Sequence, residues 1–576
     1  MAKSMALNSA AGLAGMLKAG HKHDEGTSAI LRNVEAAKGL SAIVCTSLGP
    51  NGMNKLVINH LEKIIVTSDC ATIVRELEIA HPAAKMLELA STMQEQECGD
   101  GTNLTVSFAG ELLLKCEDLI RMGLHTSEIV AGYTNAYDCL KRTLPTLITG
   151  KVDDVRSYDQ LLRIVKPVLA TKQAEAEEFL GDLVAKAALG TMSTKGKGNI
   201  NTDSVRVAKI MGGSIKQSEV IAGMVCMRGT EGTIRRVVDA PISVFACGVE
   251  ASATEAKVRA RGEGDSPTST STSTFSTFNT KLTHSICTTQ GTVLMKNADD
   301  LMSYNKSEET KMDEIIKSIA ATGTKCIISG GTVSEMAMHF IERYGMMCVR
   351  ITSKWELRRL CTATNSTALV RLGPATAEEL GFCDEVSVKE IGGRKVTVFN
   401  QVKSAKDGCR ISTVLLRAST ESVLNDLERA VDDGVNCIRT ACTDGRYVQG
   451  AGACEMELAQ KIKAYGDTCP GLDQYAIRAF ANALEFVPRT LAENSGQEAT
   501  DVLAALGAAH ANGNAAAGVD ITAATTDRNG VFTTDENLVD LYATKDSAFR
   551  LSIDAVMTVL RVDQIIMSKP AGGGKQ

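Results

Sequence analysis

Helical periodicity dominates roughly the first 150 and the last 130 residues of this 576-residue chain, whereas Val220 to Val402 carries short β-rich runs. That distribution most constrains the fold. The β-rich runs include Ile242–Cys247, Cys326–Ser329, Met347–Ile351 and Val396–Val402, interleaved with helices such as Glu335–Tyr344. A helical domain whose chain leaves, builds an α/β domain and returns accounts for the order of these patterns, and the length suggests about three or four domains. The expected class is α/β multidomain.

Composition narrows the partners. Hydrophobic residues make up 44% and charged residues 23%, so the chain can bury ordinary cores, and aromatics at 4% make those cores aliphatic. With 62 basic against 68 acidic residues the net charge is −6, and no basic run has the footprint of a nucleic-acid binder. No nucleic-acid partner is expected. The first 22 residues lack a signal-type apolar core, and no segment gives the roughly 18 apolar residues that span a bilayer, so no membrane partner and a cytoplasmic location are expected. The 17 cysteines lack any Cys-x-x-Cys pair and read as buried thiols. Ser252 to Thr280, including Ser266-Pro-Thr-Ser-Thr-Ser-Thr-Ser-Thr-Phe-Ser-Thr277, reads as a disordered low-complexity insertion. Ala508–Gly518 reads as a loop, and the tail from Pro570 reads as unfolded.

Gly99-Asp100-Gly101-Thr102-Asn103 lies between two helical patterns, His81–Gln96 and a second starting at Thr102. It puts a carboxylate beside a helix N-terminus, where backbone amides and the macrodipole favour anions. Thr102 is the expected N-cap. Such a loop on its own is commonly an ordinary turn. Other fragments suit the same chemistry. Leu48-Gly49-Pro50-Asn51-Gly52 is a punctuated turn followed by Lys55. Asp69 follows the run Ile64-Ile-Val66, beyond a strand, where it is either a catalytic carboxylate or a helix N-cap. Asp433 is expected near the end of a helix bearing Val423, Leu424, Leu427, Ala430 and Val431, where the dipole disfavours an anion; the alternative is simple exposure. Gly450-Ala451-Gly452 precedes a helical pattern and brings backbone close to a ligand. Gly190–Gly198 fails as a P-loop on spacing and reads as a flexible turn.

Five segments together resemble the group II chaperonins, the family that includes the eukaryotic cytosolic chaperonin CCT, also called TRiC. They are Leu48-Gly-Pro-Asn-Gly-Met-Asn-Lys55, Asp69-Cys-Ala-Thr-Ile-Val-Arg-Glu76, Gln94-Glu-Gln-Glu-Cys-Gly-Asp-Gly-Thr102, Glu428-Arg-Ala-Val-Asp-Asp433 and Val559-Leu-Arg-Val-Asp-Gln-Ile-Ile566. The resemblance implies a chaperonin fold: an equatorial ATPase domain from residues 1–150 and 447–576, an intermediate hinge domain from 151–229 and 411–446, and an apical substrate-binding domain at 230–410 that contains the insertion. It implies an ATPase that uses ATP and Mg2+, converts ATP to ADP, and drives hinge and lid closure. It also implies assembly with seven paralogous CCT subunits into a double-ring hetero-hexadecamer that encloses and folds unfolded or newly made clients, actin and tubulin among them.

Residue roles follow from matching positions. Asp100 would hold Mg2+; Gly101, Thr102, Asn103 and Leu104 would face phosphate, with Leu48, Gly49 and Pro50 closing the other side. Asp69 and Asp433 would position or deprotonate the attacking water, Asp433 arriving when the hinge closes. Lys172, in Ala170-Thr171-Lys172, would sense the γ-phosphate. Gly450 and Gly452 would approach the nucleotide and Asp540 would bond the ribose. Ala451 departs from the middle one of the family's three consecutive glycines, Cys70 from glycine and Asn103 from threonine, and none of these departures removes a carboxylate, so the ATPase expectation stands. The competing expectations are a nucleotide-binding structural subunit with little hydrolysis and an independent ATP-dependent small-molecule enzyme.

Overall fold

The computed structural model describes residues 22–59, 61–192, 198–250, 256–258, 293–295, 298–401, 411–522, 531–533 and 538–567. They form two compact units: the described residues up to 202, 211–218 and those from 416 onward make one, and the described residues within 203–210 and 219–415 make the other. Among the described residues no helix is long and apolar enough to cross a membrane. The described cysteines are all free thiols.

The first unit is mainly helical, with helix starts fixed by local chemistry. Pro82 opens the helix Pro82–Glu97 with the His81 side chain accepting from the Ala83 amide, and Thr420 caps Glu421–Thr443 by accepting from the Val423 amide. Both ends of the chain contribute to one core. Phe108, on the helix Thr102–Arg121, is fully buried against Phe480, Phe486 and Phe549, with ring centroids at 5.7, 6.1 and 5.4 Å. Aliphatic side chains fill the rest of this core, as the low aromatic content leads one to expect. Three short strands, Ile148–Lys151, Arg446–Gln449 and Val539–Leu541, pair antiparallel and bring three distant segments to one edge.

The second unit is built on a mixed sheet. Met347–Arg350, Cys326–Ser329 and Arg236–Phe245 run parallel, and Gly381–Ile391, Arg394–Asn400 and Glu219–Cys226 continue it antiparallel. Cys326–Ser329 is buried throughout, so it reads as a continuous apolar run rather than an alternating one. The helices Glu335–Arg343 and Lys354–Thr364 are capped by Ser334 and Ser353.

Two sequence expectations need correction. Ala256–Val258, inside the stretch read as disordered, forms a strand paired in parallel with Val293–Met295; the rest of that stretch lies outside the described residues, as do the tail and residues 193–197. Ala508–Gly518 is not a loop throughout. The helix Ala499–Ala511 runs into it because alanine has the highest helix propensity, and Gly513, with φ of 89°, turns the chain before the strand Ala517–Val519.

Candidate nucleotide site

One cavity of about 510 Å³ in the first unit gathers most of the expected positions. Leu48, Gly49, Pro50, Asp100, Gly101, Thr102, Asn103, Leu104, Ala170, Thr171, Lys172, Gly452 and Asp540 line it. Asp69, Asp433 and Gly450 do not line it, and Ala451 lines it in place of Gly450. The two carboxylates stand one layer back, behind Lys172.

The glycine turn is held from several sides. Gly99 and Gly101 have φ near +80°, the left-handed region that glycine enters without a Cβ penalty. A Cβ on Gly99 would stand 2.2 Å from Asn436 Cβ, so this backbone lies directly on the helix Glu421–Thr443. From that helix, Arg439 Nη2 donates to the Gln96 and Glu97 carbonyls at 3.0 and 2.9 Å. Buried Gln94 donates from Nε2 to the Asp100 carbonyl at 2.8 Å and to the Thr544 carbonyl at 3.2 Å.

The helix does start at Thr102, but its N-cap is Gly101, and no side chain among the described residues caps it. Its first amides are therefore available to an anion. The helix Ala453–Thr468 starts in the same way, with Gly452 as a left-handed N-cap lacking a side-chain cap. The Asn103 carboxamide does not point to a ligand: Nδ2 donates to Val44 O and Ser47 Oγ at 3.2 Å each, and Oδ1 accepts from Ser107 Oγ at 2.9 Å. Its backbone N–H is what it can offer. Across the cavity, Asn494 Nδ2 donates to Leu48 O at 2.8 Å, and a Cβ on Gly49 would meet Leu491 Cδ2 at 2.6 Å.

Asp69 is the helix N-cap that one sequence reading expected, and its second carboxylate oxygen pairs with Lys172. It caps the helix Cys70–Glu76, Oδ2 accepting from Thr72 N at 3.1 Å and Thr72 Oγ1 at 2.6 Å, while Oδ1 accepts from Lys172 Nζ at 2.8 Å. Lys172 Nζ also reaches Asp433 Oδ2 at 3.2 Å. Burial alone would raise the Asp69 pKa, yet the ammonium and the Thr72 donors hold it well below the usual carboxylate range. Asp433 goes the other way: burial drives its pKa well above that range, Lys172 pulls back, and the like charges of Asp69 and Asp100 add to the rise. Burial works against the Lys172 charge, but the two carboxylates outweigh it and keep the lysine protonated. Two carboxyls on one ammonium, with proton affinities driven apart, form the pattern that separates acid from base roles. Asp433 is mid-helix, since its helix runs on to Thr443, so its unfavourable setting comes from burial and like charge rather than from a helix end.

The Asp100 carboxyl is also raised, chiefly by burial, with Lys172 and the Gly101 amide offsetting part of it. A half-buried carboxylate with a raised proton affinity, sharing its cavity with two uncapped helix N-termini, fits a divalent cation carrying phosphate. Ala451, the departure from glycine, has φ of 53°, so a methyl-bearing residue holds a left-handed conformation at the cavity wall. Its carbonyl accepts from Val519 N at 3.0 Å.

Sequence reading missed an ionic group on the Asp540 side. Lys545 Nζ lies 2.9 Å from Asp540 Oδ2 and 2.5 Å from Glu455 Oε1, and Glu455 Oε2 is buried without a hydrogen-bond partner among the described residues. Glu455 lies just beyond the Gly450-Ala451-Gly452 turn with no pattern to mark it, and Lys545 carried no local signal because its partners are distant in sequence.

The chain matches the family model described as the TCP-1/cpn60 chaperonin family over residues 40–268 and 259–570, and it belongs to that family. It is therefore a chaperonin subunit, of a class that works in protein folding. Among its relatives it is similar to T-complex protein 1 subunit theta of Dictyostelium discoideum, 46% identical over 565 residues and 98% of each chain. It is similar to the theta subunits of Arabidopsis thaliana, 46% identical over 569 residues, and Homo sapiens, 45% over 567, each match covering 98% of this chain and 96% of the relative. Those relatives agree with His81–Met86, Ser353–Cys361 and Cys469–Ile477, segments that in sequence look most like the theta subunit of CCT.

Proposed function

We propose that this chain is an ATP-hydrolysing subunit of a double-ring cytoplasmic chaperonin, built with seven paralogous CCT subunits around unfolded or newly made clients such as actin and tubulin. The observation that carries the reading is a single cavity lined by two uncapped helix N-termini, the half-buried Asp100 carboxylate and Lys172, itself bonded to Asp69 and Asp433. Phosphoryl transfer to water asks for phosphate cradling, charge neutralisation and an oriented water rather than covalent chemistry. This group of side chains supplies each.

In this reading the amides after Gly101 and Gly452 cradle phosphate, Asp100 holds Mg2+, and Asp540 orients the ribose. Mg2+ when bound neutralises phosphate charge. Lys172 has three claimants: Asp69, Asp433 and a terminal phosphate. Recruiting its ammonium toward phosphate loosens its hold on Asp433, whose raised proton affinity suits it to accept a proton from water, while Asp69 stays ionised and orients that water. Residues 1–150 with 447–576 are read as the equatorial ATPase domain, 151–229 with 411–446 as the intermediate domain, and 230–410 as the apical domain.

The test is turnover by the assembled particle purified through a tag on this chain. Asp433→Ala should lower hydrolysis at this subunit by about 10²–10⁴-fold, with nucleotide still bound. Unchanged hydrolysis and folding yield would hand the case to a nucleotide-binding structural subunit. Electron microscopy and mass spectrometry of the same preparation test the ring: stacked eight-membered rings with seven paralogues are expected, and a monomer would refute the assembly.

A further inference from the structure

A carboxylate outside the cavity ties together all three elements that carry the hydrolytic side chains. Asp426 exposes 6% of its surface. Its Oδ1 accepts from Thr67 Oγ1 at 2.9 Å and from Arg429 Nη2 at 3.4 Å, and its Oδ2 accepts from Gln173 Nε2 at 2.9 Å. Thr67 Oγ1 in turn accepts from the Asp69 backbone N–H at 3.0 Å. An unbroken chain therefore runs from the Asp69 amide through the Thr67 hydroxyl to the Asp426 carboxylate and on to the Gln173 carboxamide.

Each partner is adjacent to a hydrolytic residue. Thr67 is two residues before Asp69, and Gln173 follows Lys172 directly. Asp426 lies one heptad before Asp433 on the same helix, so two turns place both carboxylates on nearly the same face. Asp426 thereby fixes the height and rotation of that helix against the strand end bearing Asp69 and the turn bearing Lys172. The Lys172 contacts at 2.8 and 3.2 Å depend on that registration.

We infer that Asp426 is a positioning residue for hydrolysis, a latch that sets the Asp69–Lys172–Asp433 geometry without touching the nucleotide. This rests on the hydrolytic reading proposed above. Its effect belongs on the rate of the chemical step rather than on nucleotide affinity, because displacement of a reacting group by a fraction of an ångström lowers rate far more than it weakens binding made elsewhere.

The experiment uses the full chain in its assembled particle and measures nucleotide affinity and single-turnover hydrolysis at this subunit. Asp426→Asn keeps the Thr67 bond but removes the charge that faces Arg429 and turns the acceptor toward Gln173 into a donor, so that Gln173 must turn its carboxamide over to meet it. Affinity should stay within about twofold while the single-turnover rate falls about tenfold. Adding Gln173→Glu to Asp426→Asn restores the bond with its polarity reversed and should recover most of the rate. Gln173→Leu, which removes one bond and no charge, should lower the rate in the same direction and serves if Asp426→Asn fails to fold. An unchanged rate, a double variant no faster than Asp426→Asn, or affinity falling in step with rate overturns the latch. Asp433→Ala in the same assay separates the two ideas. If it hydrolyses at full rate the hydrolytic reading falls and takes the latch with it; if it is inactive while Asp426→Asn is unimpaired, the latch alone falls.

Discussion

Lys172 Nζ lies 2.8 Å from Asp69 Oδ1, a buried ion pair between residues 103 positions apart. The same ammonium holds Asp433, so one lysine orders two carboxylates that no local sequence pattern links.

Removing that lysine tests the pairing. Lys172→Met leaves Asp69 and Asp433 without their shared cation, and breaking a buried pair from one side costs about 3–5 kcal/mol. Denaturant unfolding should register that loss. In hydrolysis, the acid limb of the pH–rate profile should move to higher pH, because the cation that lowers the Asp433 pKa is gone.

The two carboxyls give stability opposite pH dependence. Asp69 has a depressed folded pKa, so its contribution is present above the unfolded value of about 4 and is lost as pH falls from there toward the depressed folded value. Asp433 is raised, so the native state holds its proton longer than the unfolded chain and stability declines as pH rises from about 4 toward the elevated value. Urea titrations across pH should show Asp69→Asn flattening the acid-side loss and Asp433→Asn flattening the decline on raising pH.

Ala451 carries strain that glycine would release. With φ of 53°, Ala451→Gly recovers about 1–2 kcal/mol of left-handed strain and loses about 0.4–1 kcal/mol through a freer unfolded chain, a net gain below about 2 kcal/mol. Ala451→Val should destabilise instead and weaken nucleotide binding, since position 451 lines the cavity. Unfolding midpoints and a nucleotide titration on both variants decide this.

Gly99→Ala should be severe. Its Cβ would meet Asn436 Cβ at 2.2 Å at a backbone φ of 80°, so the turn must part from the Glu421–Thr443 helix. Hydrolysis and affinity should both fall, because the displaced turn carries Asp100 and leads into the cradle amides while Asp433 rides on the helix it leaves.

Phe108→Ala should cost about 3–5 kcal/mol, as it empties a site where three rings from the far end of the chain meet. Thermal unfolding of the variant checks it, and an effect below about 1 kcal/mol would deny that this ring unites the two chain ends.

Local patterns in the sequence specified what local physics controls. The helix after the glycine turn, the strand before Asp69 and the helix from Glu335 follow from periodicity, caps and breakers, which act within a turn or two. The Leu48–Gly52, Gly99–Asn103 and Gly450–Gly452 turns were also visible as punctuation beside helical patterns, whereas Lys172 and Asp540 came only from matching positions in the family. Tertiary structure alone decided which groups meet: that Lys172 bridges Asp69 and Asp433, that the Asn103 carboxamide is spent on Val44 and Ser47, and that Asp426 joins Thr67 to Gln173. Those contacts link positions tens to hundreds of residues apart. They depend on packing and on charge in a buried setting, and neither leaves a periodic or compositional trace at the residues involved.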